Sequence, residues 1–151
     1  MVWLREALQS DIDLLYEWTN DPIVRQNSFH SEMISYAVHK EWFARIMEDK
    51  NIVQYILIAD EEPVGQIRLT IDGNKAEIGY SIAPQHRQRG YGRMILQLIV
   101  DEVKHKFPDV KEVVAKVKPE NIASKKLFES EGYDMKYLCY VLDTNKKLQD
   151  K

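Results

Sequence analysis

The sequence predicts a mixed α/β layer fold, and three observations carry that expectation. Apolar residues recur at helical spacing in the first third. The middle holds three strand-like runs parted by short turn signals, and the last third alternates helix, strand, helix, strand. Helices then cover a central, mostly antiparallel sheet. With 151 residues and an apolar fraction of 44%, the chain suits one domain, 1–151, with a frayed tail at 145–151. No internal repeat, low-complexity block or Pro/Gly/Ser linker interrupts it.

Taken in order, Val2–Leu4 suits a short strand. A helix follows from Ser10 or Asp11, good N-cap residues, to Thr19, with Leu14, Leu15 and Trp18 as its apolar stripe. Asn20-Asp21-Pro22 stops it. A second helix is expected over 35–47, where Val38, Trp42 and Ile46 repeat every four residues and His39 and Phe43 lie on the adjoining stripe. Gln54–Ala59, Val64–Ile71 and Ala76–Ile82 read as a meander, turned by Glu61-Glu62-Pro63 and by Asp72-Gly73-Asn74. In the third run Ile78, Tyr80 and Ile82 share one face, and Glu77, Gly79 and Ser81 the other. A helix over 90–106 turns Met94, Ile95, Leu98, Ile99 and Val103 inward. Val113–Val117 then suits a strand, 122–131 a helix capped by Gly132, and Tyr133–Leu142 a final strand.

The net charge of −3 argues against a general nucleic-acid binder. Cys139, the only cysteine, excludes an intrachain disulfide and a cysteine-based zinc cluster; its apolar neighbours suit a buried structural thiol. The first residues carry charge too early for a signal peptide, and no apolar run reaches the ~20 residues of a membrane span, so cytoplasmic residence and no membrane partner are expected.

Against that mildly acidic background, no carboxylate occurs from Ile78 to Val100, and Arg87, Arg89 and Arg93 surround Gly90 and Gly92. The pattern Arg87-x-x-Gly90-x-Gly92 lies after a strand and before an amphipathic helix. Backbone N–H groups at a helix start lack intrahelical partners and sit at the positive end of the dipole, so such a turn suits a pyrophosphate. The amides of Gln88, Arg89, Gly90, Tyr91, Gly92 and Arg93 are the candidate donors. A P-loop would need Gly-Lys-Ser/Thr, which is absent, and a dinucleotide fingerprint would need a small residue where Ile95 stands. A loop merely shaped by glycine beside solvated arginines is the plain alternative.

The run Ala76–Ile82 followed by Pro84–Gly92, and the later Asn121-Ile122-Ala123-Ser124-Lys125-Lys126-Leu127-Phe128-Glu129-Ser130-Glu131-Gly132-Tyr133, together resemble the GNAT superfamily of acyl-CoA-dependent N-acyltransferases. The resemblance covers nearly the whole chain. It implies a GNAT fold with splayed central strands, acetyl-CoA as acyl donor, and no metal. Pantetheine would pair with the backbone of Ser81, Ile82 and Ala83. Asn121 and Ser124 would line the far wall, with Lys125 and Lys126 available to the ribose phosphate, although Asn121 also suits a helix cap. Glu77 is the candidate base, with a plain cross-strand role as its alternative. Many relatives place a tyrosine acid where Phe128 stands, and phenylalanine donates no proton. Another tyrosine, water, or binding without efficient turnover are the accounts that remain.

Trp18, Asn20 and Arg25, with His39 and Trp42, resemble the acceptor-side pattern of acetyltransferases that modify the 4-amino group of nucleotide-linked sugars in pseudaminic-acid-type pathways. The implied partner is a small-molecule amine, with a protein N-terminus or ribosomal protein as the alternative acceptor and a non-catalytic acyl-CoA-binding module as the alternative function. Trp18 and Trp42 also suit ordinary core packing, and His39 a satisfied core position. The resemblance allows a homodimer, with no interface legible in the sequence.

Overall fold

The computed structural model describes residues 1–145. In chain order it contains β1 (Val2–Glu6), α1 (Ile12–Thr19), α2 (Pro22–Asn27), α3 (Tyr36–Glu48), β2 (Ile52–Ala59), β3 (Glu62–Asp72), β4 (Lys75–Ile82), α4 (Tyr91–Lys106), β5 (Glu112–Ala115) and α5 (Ile122–Ser130). The strands form one sheet in sequence order, antiparallel from β1 to β4, with β5 parallel to β4. This is the mixed α/β architecture the sequence predicts.

Local chemistry sets the boundaries. The Ser35 hydroxyl accepts from the Val38 N–H and starts α3. Asp21 does the same for α2 through the Val24 N–H at 3.1 Å, with Pro22 in the first turn. Asn20-Asp21-Pro22 therefore ends α1 and also begins a short helix that the sequence reading did not include. Asp72 pairs with Lys75 across a two-residue turn in which Gly73 takes φ +60°.

Side-chain alternation splits the core into two layers. Tyr55, Leu57, Ile67, Leu69, Ala76 and Ile78 meet Ile95, Leu96, Ile99 and Val103 of α4. Ile56 and Ile58 meet Leu15, Trp18, Phe43 and Ile46 of α1 and α3 on the opposite face. Two expected stripes are corrected. His39, Phe43 and Ile46 are the buried positions of α3, while Val38 is exposed, and Met94 at the start of α4 faces outward.

The sheet opens at one place. β4 and β5 pair only from Lys75 opposite Glu112 to Ile78 opposite Ala115, whereas β4 stays paired with β3 as far as Ile82. The expected strand to Val117 stops at Ala115 for this reason.

The expected strand over Tyr133–Leu142 does not form. Gly132 turns the chain at φ +89°, the Tyr133 N–H closes back on the Phe128 carbonyl, and no strand is present from Asp134 to Asn145. A strand-prone sequence still needs a neighbouring edge, and nothing pairs with this one. Cys139 is accordingly exposed rather than buried. The tail expected to fray lies, beyond Asn145, outside the described residues. Among those residues no helix is long and apolar enough to cross a membrane.

Candidate active site

The gap beside the second half of β4 is lined by peptide groups. The Ala83 N–H donates to the Val64 carbonyl at 2.8 Å, so by strand alternation the peptides of Ala83 and Ser81 face β3. The peptides of Tyr80 and Ile82 then face the gap where β5 has departed. Of the three backbone positions expected to meet pantetheine, the peptide of Ile82 faces the gap, while those of Ser81 and Ala83 face β3; the peptide of Tyr80 faces the gap beside Ile82.

The chain next makes a single 3₁₀ turn at Pro84–His86 and enters the arginine and glycine loop. Gln88 at φ +63° and Gly90 at φ +85° are both left-handed, and Gly90 is the N-cap of α4. The first helical bond runs from the Met94 N–H to the Gly90 carbonyl, which leaves the N–H groups of Tyr91, Gly92 and Arg93 without helical partners. Alternating left-handed residues ahead of a helix make a concave nest of N–H groups that suits an anion. Gly92 serves packing instead: a Cβ there would meet Leu127 of α5 at 3.0 Å.

The three arginines divide. Arg87 donates to Asp21 at 2.6 Å, fastening the loop to the start of α2. Arg93 donates to Glu131 at 2.9 Å, fastening α4 to the end of α5. Arg89 is exposed and, among the described residues, has no carboxylate partner. It is the arginine available to a phosphate.

Across the gap, the Asn121 side chain accepts from the Ser124 N–H and caps α5. The Tyr80 and Ser124 hydroxyls meet at 3.1 Å, bridging β4 to α5 just past the last β4–β5 pair. Burial pushes the Tyr80 hydroxyl above the usual tyrosine range, partly offset by the Ser124 bond. The Tyr80 ring stands edge-on to Phe128, with centroids 5.8 Å apart, and Phe128 packs on Tyr133 in turn. Lys126 is exposed on α5, and Lys125 is half-buried.

The face of the sheet toward α1 and α3 is polar where it borders the gap. Gln54 donates to Gln66 at 2.8 Å and Gln66 to Ser81 at 3.0 Å, a side-chain ladder across β2, β3 and β4. The buried Gln54 Oε1 has no partner. The Arg68 guanidinium lies 5.3 Å from the centre of the Trp42 ring. Opposite Arg68 in register is Gly79, where a Cβ would meet nothing within 4 Å. Glu77 pairs with Lys116 at 3.0 Å, and that hydrogen bond raises the Lys116 ammonium above its usual range.

Several residues expected at the acceptor are engaged within the protein. Trp18 is core, 4% exposed. The Asn20 amide bonds both backbone groups of Ile34 at 2.8 Å. Arg25 donates to the carbonyls of Thr19 and His30 at 2.7 Å and to Ser28, and burial lowers its pKa. His39 is 2% exposed and bonded through Nε2 to the Ile12 carbonyl. These side chains build the segment between α1 and α3. Trp42 is half-buried on the open face.

Sequence reading passed over Tyr80, Gln54, Gln66 and Arg68 as site residues. The alternation of Gln66, Arg68 and Thr70 with Ile67, Leu69 and Ile71 was visible, and three polar residues on one face of a central strand are the signal that marks them.

This architecture has relatives. Residues 2–134 match the family model described as acetyltransferase (GNAT) domain. The chain is similar to the uncharacterized N-acetyltransferase YfmK of Bacillus subtilis (strain 168), 30% identical over 95 residues, which span 63% of each chain. It is also similar in fold to the aminoglycoside acetyltransferase AAC(6')-Ib, solved with ribostamycin and coenzyme A, at TM-score 0.79 and 19% identity, covering 89% of this chain and 84% of that one. The spermidine N-acetyltransferase of Vibrio cholerae, solved with CoA and spermine, gives TM-score 0.78 and 20% identity, covering 87% and 79%. With the family model spanning all five strands and all five helices as far as Asp134, the chain belongs to the GNAT acetyltransferase family.

Proposed function

We propose that this chain is an acetyl-CoA-dependent N-acetyltransferase that acylates a primary amine of a small polar acceptor, with nucleotide-linked amino sugars as the acceptor class. One coincidence carries the reading: the strand whose peptide groups line the gap runs directly into the loop whose free amides form an anion nest. A phosphate-bearing thioester needs both, in that order.

Bound acetyl-CoA supplies the acetyl group as a thioester. The amides of Tyr91, Gly92 and Arg93 hold its pyrophosphate, with Arg89 adding charge, and the peptides of Tyr80 and Ile82 hold the pantetheine. Lys126 and Ser124 border the same path. An N–H facing the gap polarises the thioester carbonyl. Glu77, on the acceptor face, takes the proton from the attacking amine directly or through water. The Tyr80 hydroxyl gives a proton to the departing sulfur and is replenished through Ser124. Trp42 offers a face to the acceptor, while Trp18, Asn20, Arg25 and His39 position the segment that encloses it.

Phe128 motivates a second reading, an acyl-CoA-binding module without turnover. The Tyr80–Ser124 pair weighs against it, because a hydroxyl stands beside the Phe128 ring. Isothermal titration with CoA tests the cofactor site. Thiol release from acetyl-CoA with a UDP-linked 4-amino sugar, an N-terminal peptide library, spermidine and kanamycin then tests transfer. CoA binding without thiol release would leave only the second reading, and absence of CoA binding would end both.

A further inference from the structure

We infer that Arg68, stacked on Trp42 beside the open position of Gly79, is an anion subsite that selects acceptors carrying a phosphate or carboxylate close to the reacting amine. The inference rests on the acetyltransferase reading of this cleft and deepens it by assigning the acceptor's charge to one residue.

A guanidinium offers five N–H donors and stays charged, so a half-buried one ordinarily sits against a carboxylate or several carbonyls. Arg68 is half-buried, yet among the described residues it donates no hydrogen bond and forms no ion pair. Burial pulls its pKa below the usual arginine range, opposed by the field of Glu77. Glu77, opposite Thr70 and so diagonal to Arg68, is the carboxylate whose field reaches it, but that carboxylate is engaged by Lys116 at 3.0 Å. The guanidinium lies over the Trp42 ring, and with no hydrogen bond or ion pair among the described residues its N–H donors remain available to phosphate or carboxylate oxygens, which a guanidinium takes bidentately.

The position opposite Arg68 in register is open because the residue there is glycine. Gly79 has an ordinary backbone conformation and nothing within 4 Å of its missing Cβ, so neither turn geometry nor tight packing requires glycine there. An acceptor filling this space reaches the β4 edge with its amine and Arg68 with its anion. Adjacent strands and diagonal cross-strand positions put these two points roughly 5–8 Å apart, about the width of one sugar ring. The charges agree: Lys116 and Glu77 offset each other, so Arg68 leaves this floor net positive. A polycationic amine meets repulsion here, while an amine on a sugar phosphate meets a partner.

The test measures thiol release by wild type, Arg68→Gln and Arg68→Lys. The acceptors are a UDP-linked 4-amino sugar and its uncharged methyl glycoside, serine and serinamide, and spermidine and kanamycin. Expected is a preference for the charged member of a pair, and in Arg68→Gln a rise of about 10- to 100-fold in KM for that acceptor, with kcat and CoA affinity little changed. Arg68→Lys should fall between. The UDP-sugar and serine arms separate phosphate from carboxylate as the source of the anion. Equal KM for charged and uncharged partners, or for wild type and Arg68→Gln, would overturn the inference. A binding arm stands apart from turnover: inorganic phosphate titrated into the CoA-saturated protein should shift the Arg68 Nε–H resonance, and an unmoved resonance would overturn it even if no acceptor is acetylated. Failure of CoA to bind would instead refute the acetyltransferase reading.

Discussion

Tyr80→Phe removes a single oxygen atom and puts the proposed proton donor to the test. General acid catalysis is worth roughly 10² to 10⁴ in rate. That full value is not expected here, because burial holds the Tyr80 hydroxyl above its ordinary pKa of 10.0. A thiol titrates near ~8.5, so the proton moves uphill by at least about 1.5 pKa units, or roughly 2 kcal/mol. The cost removes more than one factor of ten, and the variant should lose about 10- to 100-fold in kcat. Loss of the bond to Ser124 should cost the fold about 1 kcal/mol. The assay is thiol release at saturating acetyl-CoA and acceptor from pH 6 to 10, with CoA affinity and Tm as controls. The acid works in its protonated form and its pKa is raised, so wild type should keep this assistance through the neutral and mildly alkaline part of that range. In the Tyr80→Phe background, Phe128→Tyr returns a hydroxyl beside the same ring and should recover part of the rate. Unchanged kcat in Tyr80→Phe, or a loss confined to CoA affinity, would show that the hydroxyl does not serve the sulfur.

Three other outcomes are expected. Gly90→Val forces a β-branched residue to φ +85°, a strain of roughly 1–2 kcal/mol or more, and should weaken CoA binding at least about tenfold as the N–H nest deforms. A folded variant with unchanged CoA affinity by titration would reject the loop as the pyrophosphate site. Gly79→Leu meets open space and needs no unusual backbone, so it should fold normally, raise acceptor KM and leave the CoA dissociation constant alone; a change in CoA affinity instead would misplace the acceptor face. Asp11 accepts from Arg5 at 2.7 and 2.9 Å and from the Leu8 N–H at 2.7 Å, and the Arg5 bond above all holds its pKa below 3.8. A carboxylate depressed in the folded state contributes stability that is present above the unfolded value and lost as pH falls through the folded one. Asp11→Ala should therefore cost about 2 kcal/mol near neutral pH, a figure kept low because Arg5 is partly exposed, and the urea midpoints of the two proteins should converge as the pH falls below the usual carboxylate range.

The elements that sequence disclosed are those encoded by local periodicity and turn chemistry. The β2–β3–β4 meander, α4 with its glycine entry, and α5 capped by Asn121 and Gly132 all follow from residues adjacent in the chain. Less legible are the residues whose surroundings depend on a distant partner. Arg87 reads as a phosphate ligand until Asp21, 66 residues away, claims it at 2.6 Å. Arg25 reads as a loop arginine facing substrate until the carbonyls of Thr19 and His30 take its donors. Tyr133–Leu142 has the composition of a strand, but pairing is a property of two segments and only one was visible. Tyr80 was placed correctly on its strand face, and only the approach of Ser124 from α5 gives its hydroxyl a chemical meaning.

The site depends on the register of one strand. In β4, the side chains of Ile78 and Tyr80 turn toward α4 and α5, those of Glu77 and Ser81, with the open position of Gly79 between them, lie toward α1 and α3, and the peptides of Tyr80 and Ile82 point edgewise into the gap. The proposed proton donor, acceptor floor and pantetheine edge are thus three directions from the same few residues. A slip of one position would exchange the two faces, setting a glutamate against the α4 core and Tyr80 in the acceptor space. Gly65 is the tightest point of this register: a Cβ there would stand 2.8 Å from the Ser81 carbonyl oxygen, at the irregularity where β2 and β3 shift between Leu57 and Ile58. With no side chain at Gly65, β3 lies close against β4 at Ser81 and Ile82, the last residues before the chain turns into the anion-binding loop. Contact at that point fixes where the strand ends, and so fixes how far the loop's amides stand from the peptides of Tyr80 and Ile82.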